Sequence, residues 1–384
     1  MTDNTEHQVE PRGNTTELFR SNDLVVRRIG GFSQAACVVT FGSFTDHRTL
    51  DRAGFGEHFL RTREIDAIHV LSRENDWYQY PEIPEAMAAI HAATRTYTRV
   101  VTYGSSMGAY AAIRLAGLVG AHCALSLSPQ YSIDPAVTPF EYRWEEASRR
   151  YHSVWERTLP LPKLEQAYIA YDPADLDAKH LALFSRKFDF THVKLPGAGH
   201  PVTGYLVELD LLESMVQQAC QGLLDVPALT AKAWEHRRLS PQYFAVLATR
   251  VRKRSQRIEM LRQAANLAPQ NADIRCRLAV QLGKANRFDE AIATHQAALV
   301  IEPGHPNLLL HYSYTVERAG NLQAALALME EAAHQSAGST VYDSRVAWLR
   351  ARVAGERVPM PSPWRMWWAR LLGRGDGRAA SAGR

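Results

Sequence analysis

The sequence predicts an α/β domain with a mostly parallel sheet, followed by an all-helical repeat region. Short, fully apolar runs such as residues 35–41 and 121–128 alternate with segments of helical character, which is typical of a sheet covered on both faces. From about residue 238, similar residues recur every 34 positions, which indicates repeated helix pairs. With 384 residues, 46% of them hydrophobic and 22% charged, the chain is long enough for two or three globular domains.

The first part is organised around residues 99–118, where a β-branched run leads into Gly104-Ser105-Ser106-Met107-Gly108 and then into an alanine-rich segment. This order predicts a strand, a very tight turn and a helix. Glycines on both sides of Ser106 remove side chains that would collide with the strand and the helix. We therefore expect the Ser106 hydroxyl to project at the carboxyl edge of the sheet.

This G-x-S-x-G pattern, in this context, resembles the nucleophile elbow of the α/β-hydrolase superfamily. The resemblance implies that Ser106 is a nucleophile and that the Met107 N–H binds a developing oxyanion, together with an N–H of Ser43 or Phe44. An ordinary glycine-rich turn is the alternative interpretation.

The resemblance covers about residues 24–225 and implies a doubly wound, mostly parallel sheet. We expect a sheet of reduced size, because a single predicted strand, at residues 24–28, precedes the strand at residues 35–41.

Acid and base candidates follow in the order of the family, Ser, Asp and then His. His200 follows the last predicted strand in a glycine-rich loop and is the expected base. Asp172 stands at the end of the preceding strand and is the expected acid, with Asp175 as the second choice. We interpret Asp177 as the cap of the helix that follows.

Two aromatic segments are candidates for the walls of a substrate pocket. The residues singled out are Trp77, Tyr78 and Tyr131. Tyr131 opens a stretch at residues 130–165 that breaks the alternation of strands and helices, and in the family lids are often inserted here. Its aromatic and arginine content would suit a sugar or anionic substrate, although simple packing explains such residues equally well.

The 34-residue interval relates Ala264, Ala298 and Ala332, and it also relates Leu261, His295 and Met329. Together with Pro269 and Pro303, these positions resemble the tetratricopeptide (TPR) pattern, which implies a helical solenoid that binds a protein partner. We expect about three repeats over residues 238–339.

The C-terminal tail differs in composition from the rest of the chain. The tail beyond the repeats is basic, and residues 364–372 place tryptophans and leucines on one helical face. We expect this segment to dock on the repeats or on a partner, with weak contact to a membrane interface as the alternative. The predicted divisions are a loose arm at 1–20, an α/β-hydrolase domain at 21–228 with a lid at 130–165, TPR-like repeats at 238–339 and the basic tail at 340–384.

Composition limits the partners that we expect. The net charge of +4 comes from the tail, which disfavours a nucleic-acid footprint on the main body. The four cysteines are scattered, so neither a disulfide framework nor a metal site is indicated, and we expect no cofactor. The N-terminus lacks an apolar signal segment, which favours a cytoplasmic location.

The leading hypothesis is a Ser-His-Asp hydrolase or acyltransferase acting on a small-molecule, glycan or lipid acyl ester, including thioesters. Its repeats would recruit a protein partner. The alternative is a non-catalytic TPR scaffold that carries a degenerate hydrolase domain.

Overall fold

A computed structural model describes residues 13–33, 35–46, 49–336 and 339–359. The chain divides into two compact units, Met1–Tyr243 and Phe244–Arg384. The first is a mixed α/β unit and the second is helical. The sequence placed the start of the repeats at residue 238, a few residues before this division.

The first unit is built on one eight-stranded sheet with the strand order β1-β2-β4-β3-β5-β6-β7-β8. Strand β2 pairs antiparallel with β1 and β4, and the other neighbouring strands are parallel. The strands are β1 (Asn14–Arg20), β2 (Leu24–Gly30), β3 (Ala36–Phe41), β4 (Asp66–Ser72), β5 (Arg99–Ser105), β6 (Cys123–Leu127), β7 (Gln166–Tyr171) and β8 (Thr191–Lys194).

Helices lie in the connections between successive strands from β3 to β8 and also follow β8, and two large apolar clusters pack against the sheet. The central strands are buried along nearly their whole length, which explains why they read as continuous apolar runs. The helices are α1 (Glu57–Thr62), α2 (Ile83–Thr94), α3 (Met107–Arg114), α4 (Glu145–Ser148), α5 (Val154–Thr158), α6 (Asp177–Phe184), α7 (Thr203–Glu208), α8 (Leu212–Gln221) and α9 (Val226–His236).

The N-terminal part of the sheet corrects one expectation. The loose arm was predicted to extend to residue 20, but residues 14–20 form β1, and residues 1–12 lie outside the described residues. Two strands therefore precede β3, and the expected reduced sheet is wrong. Strand β1 is mostly exposed, so its sequence lacks the apolar run by which the other strands were recognised.

Residues 130–165 form the connection between β6 and β7, as the break in the pattern predicted. Apart from the short helices α4 and α5, this connection is irregular. Trp144, Tyr151 and Trp155 are partly buried against the cluster that contains Tyr110 of α3. These aromatic side chains attach the segment to the body of the unit.

The second unit consists of helices that pack in sequence, α12 on α13 and α14 on α15. Ala264, Ala298 and Ala332 are fully buried, as expected for small residues where paired helices cross. Helix α10 (Pro241–Arg250) begins in the first unit and continues past the boundary at Tyr243. The helices that follow are α11 (Arg254–Leu267), α12 (Ala272–Lys284), α13 (Phe288–Ile301), α14 (Pro306–Arg318), α15 (Leu322–Gln335) and α16 (Thr340–Val353).

The tryptophan-rich tail at residues 364–372 lies outside the described residues, so its expected docking or membrane contact stays a prediction. Within the described ranges, none of the helices combines the length and the apolar character needed to traverse a bilayer.

Candidate active site

The turn at Ser106 has the tight geometry that the glycine spacing predicted. Ser106 has φ 52° and ψ −115° between β5 and α3, a strained backbone conformation for a residue with a side chain. A Cβ on Gly104 would lie 2.3 Å from the Gly108 carbonyl, and a Cβ on Gly108 would lie 2.2 Å from the Phe41 carbonyl oxygen. Both positions therefore require glycine, and the turn presses the start of α3 against the end of β3.

His200 meets Ser106 across 94 residues of sequence. The Ser106 Oγ lies 3.0 Å from Nε2 of His200, within hydrogen-bond distance. The Ser106 residue is 4% exposed, and the His200 side chain is 11% exposed. Gly197 and Gly199 both have positive φ, which lets the loop after β8 carry the imidazole back over the turn.

The carboxylate beside His200 belongs to Asp177, at 2.9 and 3.1 Å from Nδ1. The predictions of Asp172, and of Asp175 as second choice, are wrong on this point. Asp177 is also not a cap, because it is the first residue of α6 and its neighbour Leu176 holds the N-cap position without a side-chain hydrogen bond.

Asp172 has a different task in this loop. Its fully buried carboxylate accepts hydrogen bonds from the N–H groups of Gly199, at 2.7 Å, and Ala174, at 3.0 Å. Asp172 therefore fixes the backbone of the loop that carries His200. The imidazole itself is hydrogen-bonded to Asp177.

The same loop is held from its other side by Gln242. Its Nε2 donates to the carbonyl oxygens of Ala198, at 2.5 Å, and Pro201, at 2.9 Å. Tyr243 packs so closely on Gly197 that a Cβ there would lie 2.5 Å from the ring. Hydrogen bonds on both sides of the loop thus restrict the position of the imidazole.

Electrostatics favour an ionised Asp177. Burial alone would raise the pKa of this carboxyl, but the hydrogen bond from His200 and the nearby charge of Arg143 outweigh burial and lower it. An ionised Asp177 accepts the Nδ1 proton of His200, which leaves Nε2 free to accept the Ser106 hydroxyl proton.

Arg143 connects three carboxylates behind the site. Its guanidinium contacts Asp177 at 2.9 Å, Asp175 at 3.0 Å and Glu141 at 2.6 Å. Glu141 in turn accepts from Nε2 of His180 at 2.8 Å. The segment at 130–165 thus provides the cation that compensates the buried Asp177 charge.

Gln130 is the second side chain close to the Ser106 hydroxyl. Its Nε2 lies 3.4 Å from Ser106 Oγ and 3.3 Å from the Ser128 carbonyl oxygen. The Trp77 indole N–H donates to its Oε1 at 3.1 Å, which orients the amide nitrogen toward Ser106. Gln130 and Trp77 are both fully buried.

The loop after β3 lies beside the start of α3, as the expected oxyanion site requires. The close approach of Gly108 to the carbonyls of Phe41 and Gly42 places them together. Met107 is the first residue of α3, so its N–H has no partner within the helix. The Tyr78 hydroxyl donates to the Gly42 carbonyl at 2.8 Å and supports this loop from below.

An aromatic cluster covers the site. The rings of Phe44, Trp77 and Trp144 are mutually in contact, with centroids 5.2 to 6.5 Å apart, and Trp144 lies 5.9 Å from the imidazole of His200. Phe44 is the most exposed of the three, at 40%. Of the predicted pocket residues, Trp77 therefore reaches the site.

The other two pocket residues lie elsewhere. Tyr78 is fully buried and packs on Phe41, under the loop after β3. Tyr131 packs on Phe184 and beneath the Arg114 guanidinium, in a separate apolar cluster. The expectation that these two side chains line the pocket is wrong.

Three residues near the site were missed by the sequence analysis as functional groups: Asp177, Gln130 and Arg143. Asp177 follows β7 by six residues, and this position after the strand was the available signal. Gln130 and Arg143 carry no comparable signal, because their contacts join distant parts of the chain.

Within the described part of the chain, no group of three or more His, Cys, Asp or Glu side chains is arranged to hold a metal ion. The chemistry that this site can perform with its own groups is nucleophilic attack by Ser106, with proton transfer through His200.

No protein-family model matches the chain, and no curated protein matches it. Among solved structures, the chain is similar to MamA AMB-1, with 24% identity, a TM-score of 0.25 and coverage of 36% of this chain and 78% of that one. It is similar to TTC0263, a thermophilic TPR protein in Thermus thermophilus, with 17% identity, a TM-score of 0.27 and coverage of 38% and 82%. It is also similar to YrrB, a TPR protein with an unusual peptide-binding site, with 16% identity, a TM-score of 0.27 and coverage of 36% and 70%.

Proposed function

We propose that this chain is a serine hydrolase or acyltransferase of the α/β-hydrolase fold, with TPR-like repeats that recruit a protein partner. The observation that carries the proposal is the continuous hydrogen-bonded series Ser106, His200 and Asp177. The strand order, with β2 antiparallel in an otherwise largely parallel sheet, and the strained turn at the end of β5 support the fold assignment.

In the first half of the reaction, Ser106 Oγ attacks the carbonyl carbon of an ester or thioester while its proton passes to Nε2 of His200. The carbonyl oxygen becomes an oxyanion, which the N–H groups of Met107 and of Ser43 or Phe44 bind. When the tetrahedral intermediate collapses, the leaving alcohol or thiol takes the proton from His200, and the acyl group remains on Ser106.

In the second half, water or an acceptor alcohol gives its proton to His200 and attacks the acyl carbon. The Ser106 oxygen then leaves and recovers the proton from His200. Asp177 stays ionised throughout and stabilises the imidazolium at both stages. Release to water gives hydrolysis, and release to an alcohol gives acyl transfer.

The substrate that we propose is a small-molecule, glycan or lipid acyl ester. The enclosure of Ser106 favours an ester whose groups on either side of the carbonyl are narrow. Ser106 is nearly enclosed, and the cluster of Phe44, Trp77 and Trp144 presents an apolar surface beside it. Contact with these rings would bury the apolar surface of an acyl chain and so stabilise the bound substrate. The enclosure of Ser106 would exclude water during the first step.

Covalent labelling with a fluorophosphonate probe tests the proposal. Folded wild-type protein should label at Ser106, and Ser106→Ala should not label while keeping its circular dichroism and melting temperature. Ser105→Ala is the matched control, because Ser105 is the adjacent residue and bonds Thr203 instead of His200. Absence of labelling in the wild type would favour the scaffold hypothesis, in which the helical repeats carry the function.

A further inference from the structure

Four cations lie at one end of the helical unit, because α11 packs on α12 and α12 packs on α14. Arg254 begins α11 and Arg257 lies in its first turn, while Lys284 and Arg318 are the last residues of α12 and α14. Lys284 and Arg318 are 34 residues apart, so they occupy the same position in successive repeats. We call these four residues the basic cluster.

The basic cluster has no carboxylate partner among the residues that the structure describes. Across the described residues, none of the four makes an ion pair with a carboxylate. Arg257 donates to the carbonyl oxygens of Ala248 and Val251, and Arg318 donates to the Asn286 side chain. The Nε atom of Arg318 is buried and has no hydrogen-bond partner among the described residues.

Two carboxylates near these cations in the sequence are already paired with other arginines. Glu290 pairs with Arg262 and Arg287, and Glu317, next to Arg318, pairs with the fully buried Arg345. Neither is therefore available to the basic cluster, so a carboxylate from outside the chain could pair with these cations without displacing an ion pair of the described residues.

The surroundings of Lys284 disfavour the charged form of its side chain. Burial, followed by the positive charges of Arg257, Arg254 and Arg318, lowers the pKa of its ammonium group to about 8. A bound anion would remove part of this repulsion.

We propose that the basic cluster binds an acidic, carboxylate-rich peptide segment of a protein partner. Arginine forks pair with carboxylates in a bidentate manner, and successive helix pairs present their ends side by side along an extended surface. The inference specifies the partner in the recruiting role proposed above, and it does not depend on the chemistry at Ser106.

A peptide fits this surface better than a single-stranded nucleic acid does. Proteins that bind single strands usually add exposed aromatic rings on which the bases stack. Between residues 244 and 359, the large hydrophobic side chains that are strongly exposed in the described ranges are Leu267, Val300, Val341 and Val353, and none is aromatic.

Fluorescence anisotropy with the full-length protein tests this inference. The probes are a fluorescein-labelled hexaglutamate peptide, the matching hexaglutamine peptide and a labelled dT12 oligonucleotide. We expect the glutamate peptide to bind, to weaken as salt is raised, and to bind more tightly than either other probe. Lys284→Gln and Arg254→Gln should each weaken it about threefold.

Arg350→Gln is the matched control. It removes one positive charge from the same unit, but Arg350 is exposed and paired with Glu330, so binding should change little. As a second readout, amine-reactive labelling at pH 8 should slow at Lys284 when the peptide is added. Equal binding by Lys284→Gln, Arg254→Gln and wild type, tighter binding of dT12, or unchanged Lys284 labelling would overturn the inference. Fluorophosphonate labelling of Ser106 would be unaffected in each case.

Discussion

At the scale of single residues, the Ser106 hydroxyl has two polar neighbours with different tasks. Nε2 of His200 is placed to take its proton, and the Gln130 amide is placed to donate to the oxygen that remains. A donor next to an oxygen that develops negative charge lowers the barrier for proton removal. Under the proposed mechanism, Gln130 therefore contributes to activating the Ser106 hydroxyl, in addition to the backbone N–H groups expected to bind the oxyanion.

We predict that Gln130→Ala lowers the rate of fluorophosphonate labelling about tenfold, less than loss of an oxyanion donor usually costs, because the 3.4 Å contact is long. Stopped time courses read by gel fluorescence measure this rate. Gln218→Ala is the control, because Gln218 lies in α8, bonds Ser214 and the Asp225 N–H, and does not contact Ser106. Equal rates for Gln130→Ala and wild type would refute this role.

There is a physical reason why the sequence predicted Asp172, and not Asp177, as the carboxylate beside His200. Both carboxylates are fully buried, and both follow β7 within six residues. What separates them is the path of the loop, which turns Asp172 toward the Gly199 backbone and directs the start of α6 at His200. Such a path is set by tertiary contacts, including those of Arg143, that no local pattern encodes.

At the scale of elements, the connection between β6 and β7 stabilises the unit through charge. Burial alone would raise the pKa of Glu141, but hydrogen bonds from His180 and Arg143 lower it to about 2. Because the pKa is below that of the unfolded chain, ionised Glu141 stabilises the fold at neutral pH. This contribution is complete above about pH 4.5 and is lost as the pH falls toward 2.

We predict that Glu141→Gln lowers the free energy of unfolding at pH 7 by about 3 kcal/mol and flattens its dependence on pH between 5 and 2. Urea unfolding followed by circular dichroism at several pH values measures both effects. Glu145→Gln should change little, because Glu145 pairs with Arg149 on the exposed surface. An unchanged pH profile in Glu141→Gln would contradict the account.

The turn at the end of β5 gives a second prediction at this scale. Gly108→Ala should strongly destabilise the first unit, because the new methyl group would overlap the Phe41 carbonyl, which is backbone and cannot rotate away. Gly42→Ala is the comparison, since its Cβ would meet its nearest neighbour, the Tyr78 hydroxyl, at 3.5 Å. Melting temperatures of the two variants should differ clearly, and similar values would refute the packing argument.

In the helical unit, His295 occupies the buried position held by Leu261 and Met329 in the other repeats. Burial lowers the pKa of His295 to about 3, so it stays neutral in the fold while the unfolded chain takes up a proton below about pH 6.5. This group therefore lowers stability progressively as the pH falls from 6.5 toward 3.

We predict that His295→Met makes the helical unit less sensitive to acid, although the hydrogen bond to Thr315 is lost. Thermal unfolding at pH 7.5 and pH 5 measures the difference in melting temperature, which should be smaller in the variant than in the wild type. A difference of the same size in both proteins would show that His295 does not set the acid response.

At the scale of the whole molecule, the sequence predicted secondary structure best where its hydrophobic pattern reflects a strand that is buried on both faces of the sheet. The runs that became β3, β5 and β6 were found because buried parallel strands tolerate few polar residues. The exposed strand β1 was missed for the same reason. The 34-residue interval identified the helical repeats because each buried small residue recurs with the period of a helix pair.

The residues of the candidate site fall into those that the local sequence pattern identifies and those that it does not. Ser106 and His200 stand in local sequences with unusual glycine content, so the sequence pattern alone singles them out. Asp177, Gln130 and Arg143 depend on contacts between segments far apart in the chain, and they become visible only in three dimensions.

The most direct measurement of the central claim is the rate of fluorophosphonate labelling at Ser106, mapped by mass spectrometry, in wild type, Asp177→Asn and Asp172→Asn. We predict a loss on the order of 10³ to 10⁴-fold in Asp177→Asn, because the asparagine would not stabilise the imidazolium or keep the proton on Nδ1. Asp172→Asn should lose mainly thermal stability. Equal losses in the two variants, or labelling at a residue other than Ser106, would contradict the account.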